Sequence, residues 1–260
     1  MQLLHDDEPP AVEVVNAAGS AAAVLLCDHA SPRLPRALGD LGLDESQRLE
    51  HIGWDIGAAE VARRLSAAID APLVLSGYSR LAIDCNRPPG SPGSIPAITG
   101  GIPVPGNREV SDDDRRRRET ELLLPYHAAI TALLDVREVR GQPTAVVAIH
   151  SFTPFLDRPR PWRIGFTYGR DRRLAGALYD WFQARWPELN AGDNLPYAVG
   201  VDTDYAMPVH GEKRGLPHVL IEIRNDGIRD AEGQSTWALR LAECWAALSP
   251  GLDFGRSSPD

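Results

Sequence analysis

Residues that can bind a metal or move a proton stand at the ends of several apolar runs in this sequence. Four runs short enough to be buried strands end in such residues, namely Asp28 and His29, Asp84 to Arg87, His150 and Ser151, and Glu222 with Arg224. In open α/β sheets, ligands bind outside the carboxyl ends of the strands. The sequence therefore predicts one functional site at one edge of a sheet.

Two histidines on separate strand ends are a natural pair of metal ligands. His29 and His150 with one carboxylate would supply three nitrogen and oxygen ligands and leave a fourth position open, as in catalytic zinc sites. The carboxylate could be Asp28, Asp55 or Asp84. Asp28 adjoins His29, and adjacent residues of an extended strand point to opposite faces. Asp55 lies where a loop enters a predicted helix, where a carboxylate can either bind a metal or cap the helix.

Glu222 lies inside a run that otherwise predicts a buried strand. The run is HVLIEIRND, residues 218–226, and strand alternation places Leu220, Glu222 and Arg224 on one face. Glutamate is rarely buried without a partner, so two interpretations stand side by side. Glu222 could form an ion pair with Arg224. It could instead be the general base that activates a metal-bound water, with Arg224 binding an anionic group of the substrate.

The segment DCNRP, residues 84–88, places an amide and a guanidinium next to each other. The planar fork of arginine donors fits a carboxylate with two hydrogen bonds, and Asn86 can add a further donor. Arg80 stands four residues before Asp84. We expect Asn86, Arg87 and Arg80 to bind a substrate carboxylate; the structural alternative is an Asx turn that stabilises the loop before the two prolines.

The composition disfavours several classes of function. The 260 residues carry a formal net charge of −9, whereas nucleic-acid and anionic-membrane partners need a basic surface. No apolar run approaches the roughly 18 residues of a membrane span, and the opening MQLLHDDEPP lacks the order of a signal peptide. Three cysteines without a CxxC pair predict reduced thiols in a cytoplasmic protein. The motifs of serine hydrolases and nucleotide-binding proteins are absent, and the oligomeric state stays open.

Strands alternate with helices along the chain, which predicts an α/β sandwich with a mostly parallel sheet. The predicted strands are 21–30, 71–77, 79–89, 144–152, 162–168 and 218–226, and the predicted helices are 55–70, 115–141 (after a start signal at Ser111), 171–186 and 235–248. Residues 1–20 are expected to be a loose lead-in to a single domain over residues 1–260. Residues 88–108 are rich in proline and glycine, and a stretch of this length within a domain favours a functional loop.

Six ordered segments resemble the N-formylglutamate amidohydrolase family, from about residue 22 to 245. They are VLLCDHASPRLP, HIGWDIGAAEVARRL, YSRLAIDCNRPPGSP, VPGNREVS, IHSFTP and GLPHVLIEIRND. The resemblance implies a zinc-dependent hydrolase with a three-layer α/β/α fold like that of the zinc exopeptidases, the carboxypeptidases among them. It also implies cleavage of an N-acyl amino acid, the named reaction being hydrolysis of N-formylglutamate to formate and glutamate.

The resemblance further implies a role for each matching residue. His29, Asp55 and His150 would hold Zn²⁺, and Glu222 would be the general base. Asn86 and Arg87, helped by Arg80 or Arg224, would bind the substrate carboxylate, and residues 88–108 would border the site and set acyl-group selectivity. The HxxE spacing of carboxypeptidases is absent, because Pro32 stands three residues after His29.

The resulting hypothesis is a zinc-dependent amidohydrolase acting on a small carboxylate-bearing amide. One alternative is a zinc amidase or carboxypeptidase acting on a peptide or a cell-wall fragment. The other is a relative of the same fold that binds a ligand without catalysis.

Overall fold

The computed structural model describes residues 2–255, in which nine strands are present. They are β1 (Val12–Val15), β2 (Ala23–Cys27), β3 (Leu73–Ser76), β4 (Ile98–Thr99), β5 (Ile102–Pro103), β6 (Ala145–Phe152), β7 (Ile164–Thr167), β8 (Gly192–Asp193) and β9 (His218–Arg224).

Six α-helices lie between or after the strands of the described chain. They are α1 (Glu45–Leu49), α2 (Ala58–Ile69), α3 (Asp112–Arg118), α4 (Leu124–Val139), α5 (Arg173–Arg185) and α6 (Ala231–Leu248). Two π-helical turns span Glu119–Leu123 and Met207–Gly211, and 3₁₀ turns span Arg36–Leu38, Pro92–Ser94, Pro105–Asn107, Pro187–Leu189, Glu212–Arg214, Asn225–Gly227 and Ser249–Gly251. Within residues 2–255, no helix combines the length and the apolar character needed to cross a membrane.

Seven strands form one mixed sheet in the order β1-β3-β2-β6-β9-β7-β8. β2 pairs in parallel with β3 and β6, β6 pairs in parallel with β9, and β7 with β8. β1 with β3 and β7 with β9 are antiparallel pairs. The predicted α/β class with a mixed, mostly parallel sheet is therefore confirmed. β4 and β5 form a separate short hairpin inside the predicted loop 88–108.

Helices cover both faces of this sheet. The side chains of Val147 and Ile149 in β6 pack with α2, α5 and α6, whereas those of Val146 and Ala148 pack with α4. This alternation is the period of two of a strand, and every residue of β6 is buried because both faces are covered. The arrangement is the expected three-layer sandwich, and His150 continues the row of Ala148 on the α4 side.

The prediction of a loose lead-in over residues 1–20 is wrong. Val12–Val15 form the edge strand β1, which pairs with β3 from Val12 opposite Ser76 to Val15 opposite Leu73. Leu3 is buried, and its amide donates to the Glu121 carboxylate at 2.9 Å. A strand of four residues is too short to show a clear alternation in the sequence, so the polar composition of the segment predicted a loop.

The predicted strand over residues 79–89 is also wrong, because this segment consists of turns. Its backbone bonds to other loops: the Ser79 amide donates to the Arg33 carbonyl and the Asp84 amide to the Ser94 carbonyl. Leu81 and Ile83 are buried in small apolar clusters beneath these loops. A short apolar run under a loop has the composition of a strand, so the sequence could not separate the two.

The long predicted helix 115–141 begins earlier and carries a widened turn. Ser111 is its N-cap as predicted, and the Ser111 hydroxyl accepts from the Asp114 amide at 3.1 Å. The π-helical turn Glu119–Leu123 then joins α3 to α4 just before Pro125. Proline has no N–H to donate to the preceding turn, so the helical bonding pattern changes there.

Two buried histidines connect α4 to the π-helical turn Met207–Gly211. His127 Nε2 lies 2.7 Å from the Cys85 carbonyl, which can only accept, so Nε2 carries the hydrogen. Neutral His127 therefore accepts at Nδ1 from His210 Nε2, 2.9 Å away. His210 Nδ1 is left buried without a partner among the described residues. Burial lowers the pKa of both rings, that of His210 to about 3.

We expect the replacement His210→Phe to weaken the acid sensitivity of folding. The pKa of His210 in the folded protein, about 3, lies below its value of 6.5 in the unfolded chain, so below that value the unfolded state binds more protons. Stability due to this group is therefore complete above the unfolded pKa and is lost as the pH falls. Between about pH 7.5 and about pH 5.5, the drop in the free energy of unfolding should be smaller in the variant by about 1 kcal/mol.

Urea titration at the two pH values measures this difference. The exposed His5, changed to Gln, is the matched control and should keep the pH dependence of the parent protein. An equal drop in the free energy of unfolding in His210→Phe and the parent would contradict the assignment of His127 and His210 as a neutral buried pair.

Candidate functional site

The carboxyl ends of β2, β6 and β9 meet because these strands are parallel neighbours. Asp28 and His29 directly follow β2, and His150 lies near the end of β6. The register pairs His150 with Glu222 on β9, so their side chains stand next to each other on the α4 side of the sheet. Three of the four predicted strand ends therefore meet at one edge, as expected. The fourth group, Asp84 to Arg87, reaches the same edge from the turns that follow β3.

His29, Asp55 and His150 converge on one point in the interior. The Nδ1 atoms of His29 and His150 lie 3.4 Å and 2.9 Å from the same oxygen, Asp55 Oδ2. One ligand atom from each of the three residues lies within 4.8 Å of the other two, and all three residues are buried. Such a group can hold a metal ion.

Asp55 faces this point because Gly57, and not Asp55, caps α2. Gly57 has φ of +80°, and a Cβ atom there would stand 2.1 Å from the Ile228 carbonyl oxygen, so only glycine fits this turn. The Asp55 amide donates to the His29 carbonyl at 3.0 Å, which ties the turn to the end of β2. Helix capping, the structural alternative for the Asp55 side chain, does not occur.

The Nε2 atoms of both histidines, which point away from Asp55, bond to buried carboxylates. His29 Nε2 lies 2.7 Å from Asp84 Oδ1, and His150 Nε2 lies 2.8 Å from Asp28 Oδ2. The other oxygen of Asp28 accepts from the Tyr126 hydroxyl at 2.6 Å. Since a carboxylate only accepts, each Nε2 donates to the carboxylate behind it, which leaves the Nδ1 atom of each ring facing Asp55 as the candidate metal ligand. This arrangement is typical of metal-binding histidines, and it places Asp28 and Asp84 behind the rings and not beside Asp55.

The electrostatics of the cluster favour a positive charge at its centre. Burial opposes ionisation of His150, but Asp28 and Asp55 outweigh it and raise its pKa well above the usual value. Asp84 and Asp55 likewise outweigh burial and raise the pKa of His29. Burial disfavours the charged form of Asp55, yet Arg80 and the two histidines hold its pKa well below the usual range. Two imidazole nitrogens and a carboxylate oxygen are ligands that suit Zn²⁺.

Glu222 stands beside this cluster and forms no ion pair with any residue from 2 to 255. Only 7% of the residue is exposed, and its Oε2 atom has no hydrogen-bond partner among the described residues. Burial raises the pKa of Glu222 to about 7, with Asp55 adding to the effect and His150 opposing it. Arg224 bonds instead to both oxygens of Asp226, at 2.9 Å and 3.0 Å. The ion pair between Glu222 and Arg224, one of the two sequence-based interpretations, does not form.

A cavity of about 410 Å³ opens over the cluster and has the size of a small-molecule site. Its wall consists of His29, His51, Asp55, Arg80, Asn86, Arg87, His150, Ser151, Thr167, Tyr197, Ala198, Val199, Thr203, Asp204, Leu220 and Glu222. Residues 88–108 do not line it; the loop wall comes from residues 197–204. Neither a motif nor a periodic pattern marks this loop in the sequence.

Two of the residues predicted to bind substrate are already engaged in other contacts. Arg80 donates from Nη2 to Asp55 Oδ1 at 2.8 Å and to the His51 carbonyl. The Asn86 amide group donates to Asp204 and accepts from the amides of Tyr205 and Ala206. Arg80 therefore steadies Asp55, and Asn86 fixes the chain that follows the loop wall.

Arg87 lines the cavity and keeps donors available. Its Nη1 atom donates to the Thr203 carbonyl and lies 3.6 Å from Asp204 Oδ1, while the Asp84 carboxylate is 3.9 Å from Nε. Arginine has five N–H donors, so these contacts leave part of the guanidinium free. Arg224 does not line the cavity. The structure thus brings together all predicted metal ligands, Glu222, Arg80, Asn86 and Arg87, and leaves Arg224 outside.

Comparison with known proteins agrees with this geometry. The sequence profile described as N-formylglutamate amidohydrolase matches residues 21–229. Among solved structures, a gene product of Agrobacterium tumefaciens is 36% identical and superposes with a TM-score of 0.91, over 96% of this chain and 99% of that one. The N-formylglutamate amidohydrolase of Ralstonia eutropha shares the fold, with 17% identity, a TM-score of 0.63 and coverage of 94% and 98%. No curated protein matches significantly.

The profile match extends from the residues before β2 to those after β9, and so contains every residue of the cavity wall. The chain therefore belongs to the N-formylglutamate amidohydrolase family, hydrolases that act on an amide C–N bond.

Proposed function

We propose that this protein is a zinc-dependent amidohydrolase that cleaves an N-acyl amino acid, such as N-formylglutamate, or a similar small carboxylate-bearing amide. The observation that carries the proposal is the position of Glu222. A buried carboxylate that forms no ion pair within the described chain stands beside a buried His-Asp-His group, in a cavity of small-molecule size. This combination supports hydrolysis better than ligand binding alone.

His29, Asp55 and His150 would hold the zinc ion. When bound, Zn²⁺ supplies a Lewis acid that polarises an amide carbonyl and makes water more acidic. Asp28 and Asp84 orient the two rings from behind, and Arg80 fixes the second oxygen of Asp55. The ligand side chains are therefore held in place before a substrate arrives, which is what efficient catalysis requires.

Glu222 would move the proton in this reaction. It takes a proton from the attacking water as the new C–O bond forms, and passes it to the nitrogen as the C–N bond breaks. The products are the carboxylic acid of the acyl group and the free amino acid. Because burial disfavours its charged form, Glu222 can hold the proton between these two steps.

Arg87 would bind the substrate carboxylate, since its guanidinium lines the cavity with donors to spare. Asn86 helps to fix the position of Arg87, because it bonds to residues 204–206 and Arg87 contacts the adjoining residues 203 and 204. The volume of about 410 Å³ suits a small amide, which favours this proposal over a peptide or cell-wall fragment.

We expect the purified protein to bind about one zinc ion and His150→Ala to lose it. Asp28→Asn and Asp84→Asn should keep the ligands but weaken zinc affinity by about 10- to 100-fold, because they remove the carboxylates that orient the rings. Metal content after dialysis and competition with a chelator measure both effects. Asp70→Asn, at an exposed position, is the control and should bind zinc like the parent. Failure to take up added zinc, together with absence of hydrolysis, would favour the non-catalytic binding protein.

The replacement Glu222→Gln should leave zinc bound and lower kcat by about 10²- to 10⁴-fold, because the amide cannot accept the proton from water. Zinc content and steady-state kinetics on the same preparation separate the two effects. A variant that retains full activity would rule out Glu222 as the general base.

Arg87→Ala should reduce kcat/KM by about 10- to 100-fold, chiefly through KM, because a charged hydrogen bond to the substrate is lost. A panel of N-formyl, N-acetyl and N-succinyl amino acids identifies the acyl group first, and the best compound serves for the variants. Arg63→Ala removes a surface arginine that pairs with Glu13, and should leave KM unchanged. Equal kinetics for Arg87→Ala and the control would exclude Arg87 from substrate binding.

A further inference from the structure

Arg160 is a buried arginine behind the loop wall of the cavity. Only 6% of the residue is exposed. Its guanidinium lies over the rings of Tyr197, 4.8 Å from the centroid, and Phe152, at 5.8 Å. It donates from Nη2 to the Tyr197 hydroxyl, and from Nη1 to the Thr153 carbonyl at the long distance of 3.4 Å. The charge is thus surrounded by aromatic rings and by two neutral oxygens.

The charge of Arg160 is not balanced by an ion pair in the described part of the chain. No carboxylate in residues 2–255 forms an ion pair with Arg160. By contrast, Arg80 is paired with Asp55 and Arg224 with Asp226. A buried charge is costly unless an opposite charge accompanies it, so the site is suited to an anion that comes from outside the chain.

The two other buried arginines of the described chain differ from Arg160 in their surroundings. Arg137 donates to four oxygens, among them the Ala21 carbonyl at 2.6 Å. Arg118 donates to the Ala82 carbonyl and to Asn107 Oδ1 at 3.0 Å and 2.7 Å. Neither they nor their partners line the cavity, so they tie loops together. Arg160 makes two hydrogen bonds, as Arg118 does, but one of its partners, Tyr197, lines the cavity.

The Tyr197 hydroxyl connects the Arg160 guanidinium to the cavity, because Tyr197 both bonds to Arg160 and lines the cavity wall. Its oxygen accepts from Arg160, so its own hydrogen remains to be donated, and no acceptor for it is present among residues 2–255. Burial raises the pKa of Tyr197, which keeps the phenol protonated. A phenol polarised by a guanidinium is a strengthened donor, and hydrogen bonds to an ionised acceptor are the stronger ones.

We propose that Tyr197 donates a hydrogen bond to a carboxylate of the substrate and that Arg160 is the positioning residue that orients and polarises it. The pair is then a second point of carboxylate recognition, in addition to Arg87, on the loop wall 197–204. This inference rests on the proposed function for the identity of the substrate, but the anion site itself can be tested without turnover.

The test compares N-formylglutamate with its two isosteres, N-formylglutamine and N-formylisoglutamine, each of which replaces one carboxylate by a carboxamide. Tyr197→Phe and Arg160→Gln should lower kcat/KM for N-formylglutamate by about 10- to 100-fold. For the isostere that lacks the recognised carboxylate, the same variants should change kcat/KM by less than about twofold. Arg160→Lys keeps the charge and should recover part of the loss. The isostere that escapes the effect identifies which carboxylate is bound.

Two matched controls lie on α5, away from the cavity. Tyr179→Phe removes a phenol hydroxyl, and Arg185→Gln removes a guanidinium that lies 5.2 Å from the ring of Trp186. Both should leave the preference for carboxylate over carboxamide unchanged. A loss of equal size on all three compounds would overturn the proposal, because it would assign Tyr197 to the reacting carbonyl or to loop structure.

Calorimetry on the zinc-loaded protein decides the question even if none of the compounds is hydrolysed, an outcome that would exclude N-formylglutamate as the substrate without testing the anion site. The parent should bind glutarate about tenfold or more tightly than glutaramate, and Tyr197→Phe and Arg160→Gln should reduce this preference to about twofold. An unchanged preference in both variants would overturn the anion site.

Discussion

Buried negative charge is the constraint on which this site depends. Asp28, Asp55, Asp84 and Glu222 are all buried around two imidazole rings, and Arg80 supplies one positive charge to Asp55. Carboxylates in an apolar interior are unfavourable unless a cation or a proton compensates them. The raised pKa values of His29 and His150 reflect the same preference for a positive charge near these carboxylates. A divalent cation held by His29, His150 and Asp55 would balance this charge without protonated histidines, so the ligand types and the surrounding charge are both compatible with a metal ion.

The fold brings these groups together through parallel pairing. The central strands β2, β6 and β9 begin at one edge of the sheet and end at the other, so side chains far apart in sequence arrive side by side. The register of β6 with β9 places Glu222 next to His150, and a slip by one residue would turn Glu222 to the opposite face. Helix α4 then closes this face of the sheet, and its Tyr126 reaches the carboxylate behind His150. The layers that bury the core therefore also position the side chains behind the candidate metal ligands.

The sequence could predict the parts of the site that lie on regular strands. His150 and Glu222 lie at the ends of continuous apolar runs, which predict buried strands, and the mostly parallel sheet follows from the alternation of strands and helices. The contacts behind the rings could not be predicted, because nothing in the sequence decides whether Asp28 and Asp84 contact the Nδ1 or the Nε2 atoms of the histidines. Arg160 and Tyr197 come from loops without a motif, and their pairing depends on how two distant loops pack. The turns over 79–89 have the composition of a strand, and only their hydrogen bonds to other loops distinguish them.

The two sides of the cavity differ in how their positive charges are balanced. At the metal side, Arg80 is bonded to Asp55, and the Arg87 guanidinium lies within 4.0 Å of carboxylates of Asp84 and Asp204. At the loop side, the hydrogen-bond acceptors of the Arg160 guanidinium within residues 2–255 are two neutral oxygens, and the guanidinium lies over aromatic rings. An arginine that is already close to a carboxylate gains less from an incoming anion than a buried arginine without an ion pair does. A substrate carboxylate near Tyr197 would complete this charge balance, and it would hold the substrate at a point separate from the residues that move the proton.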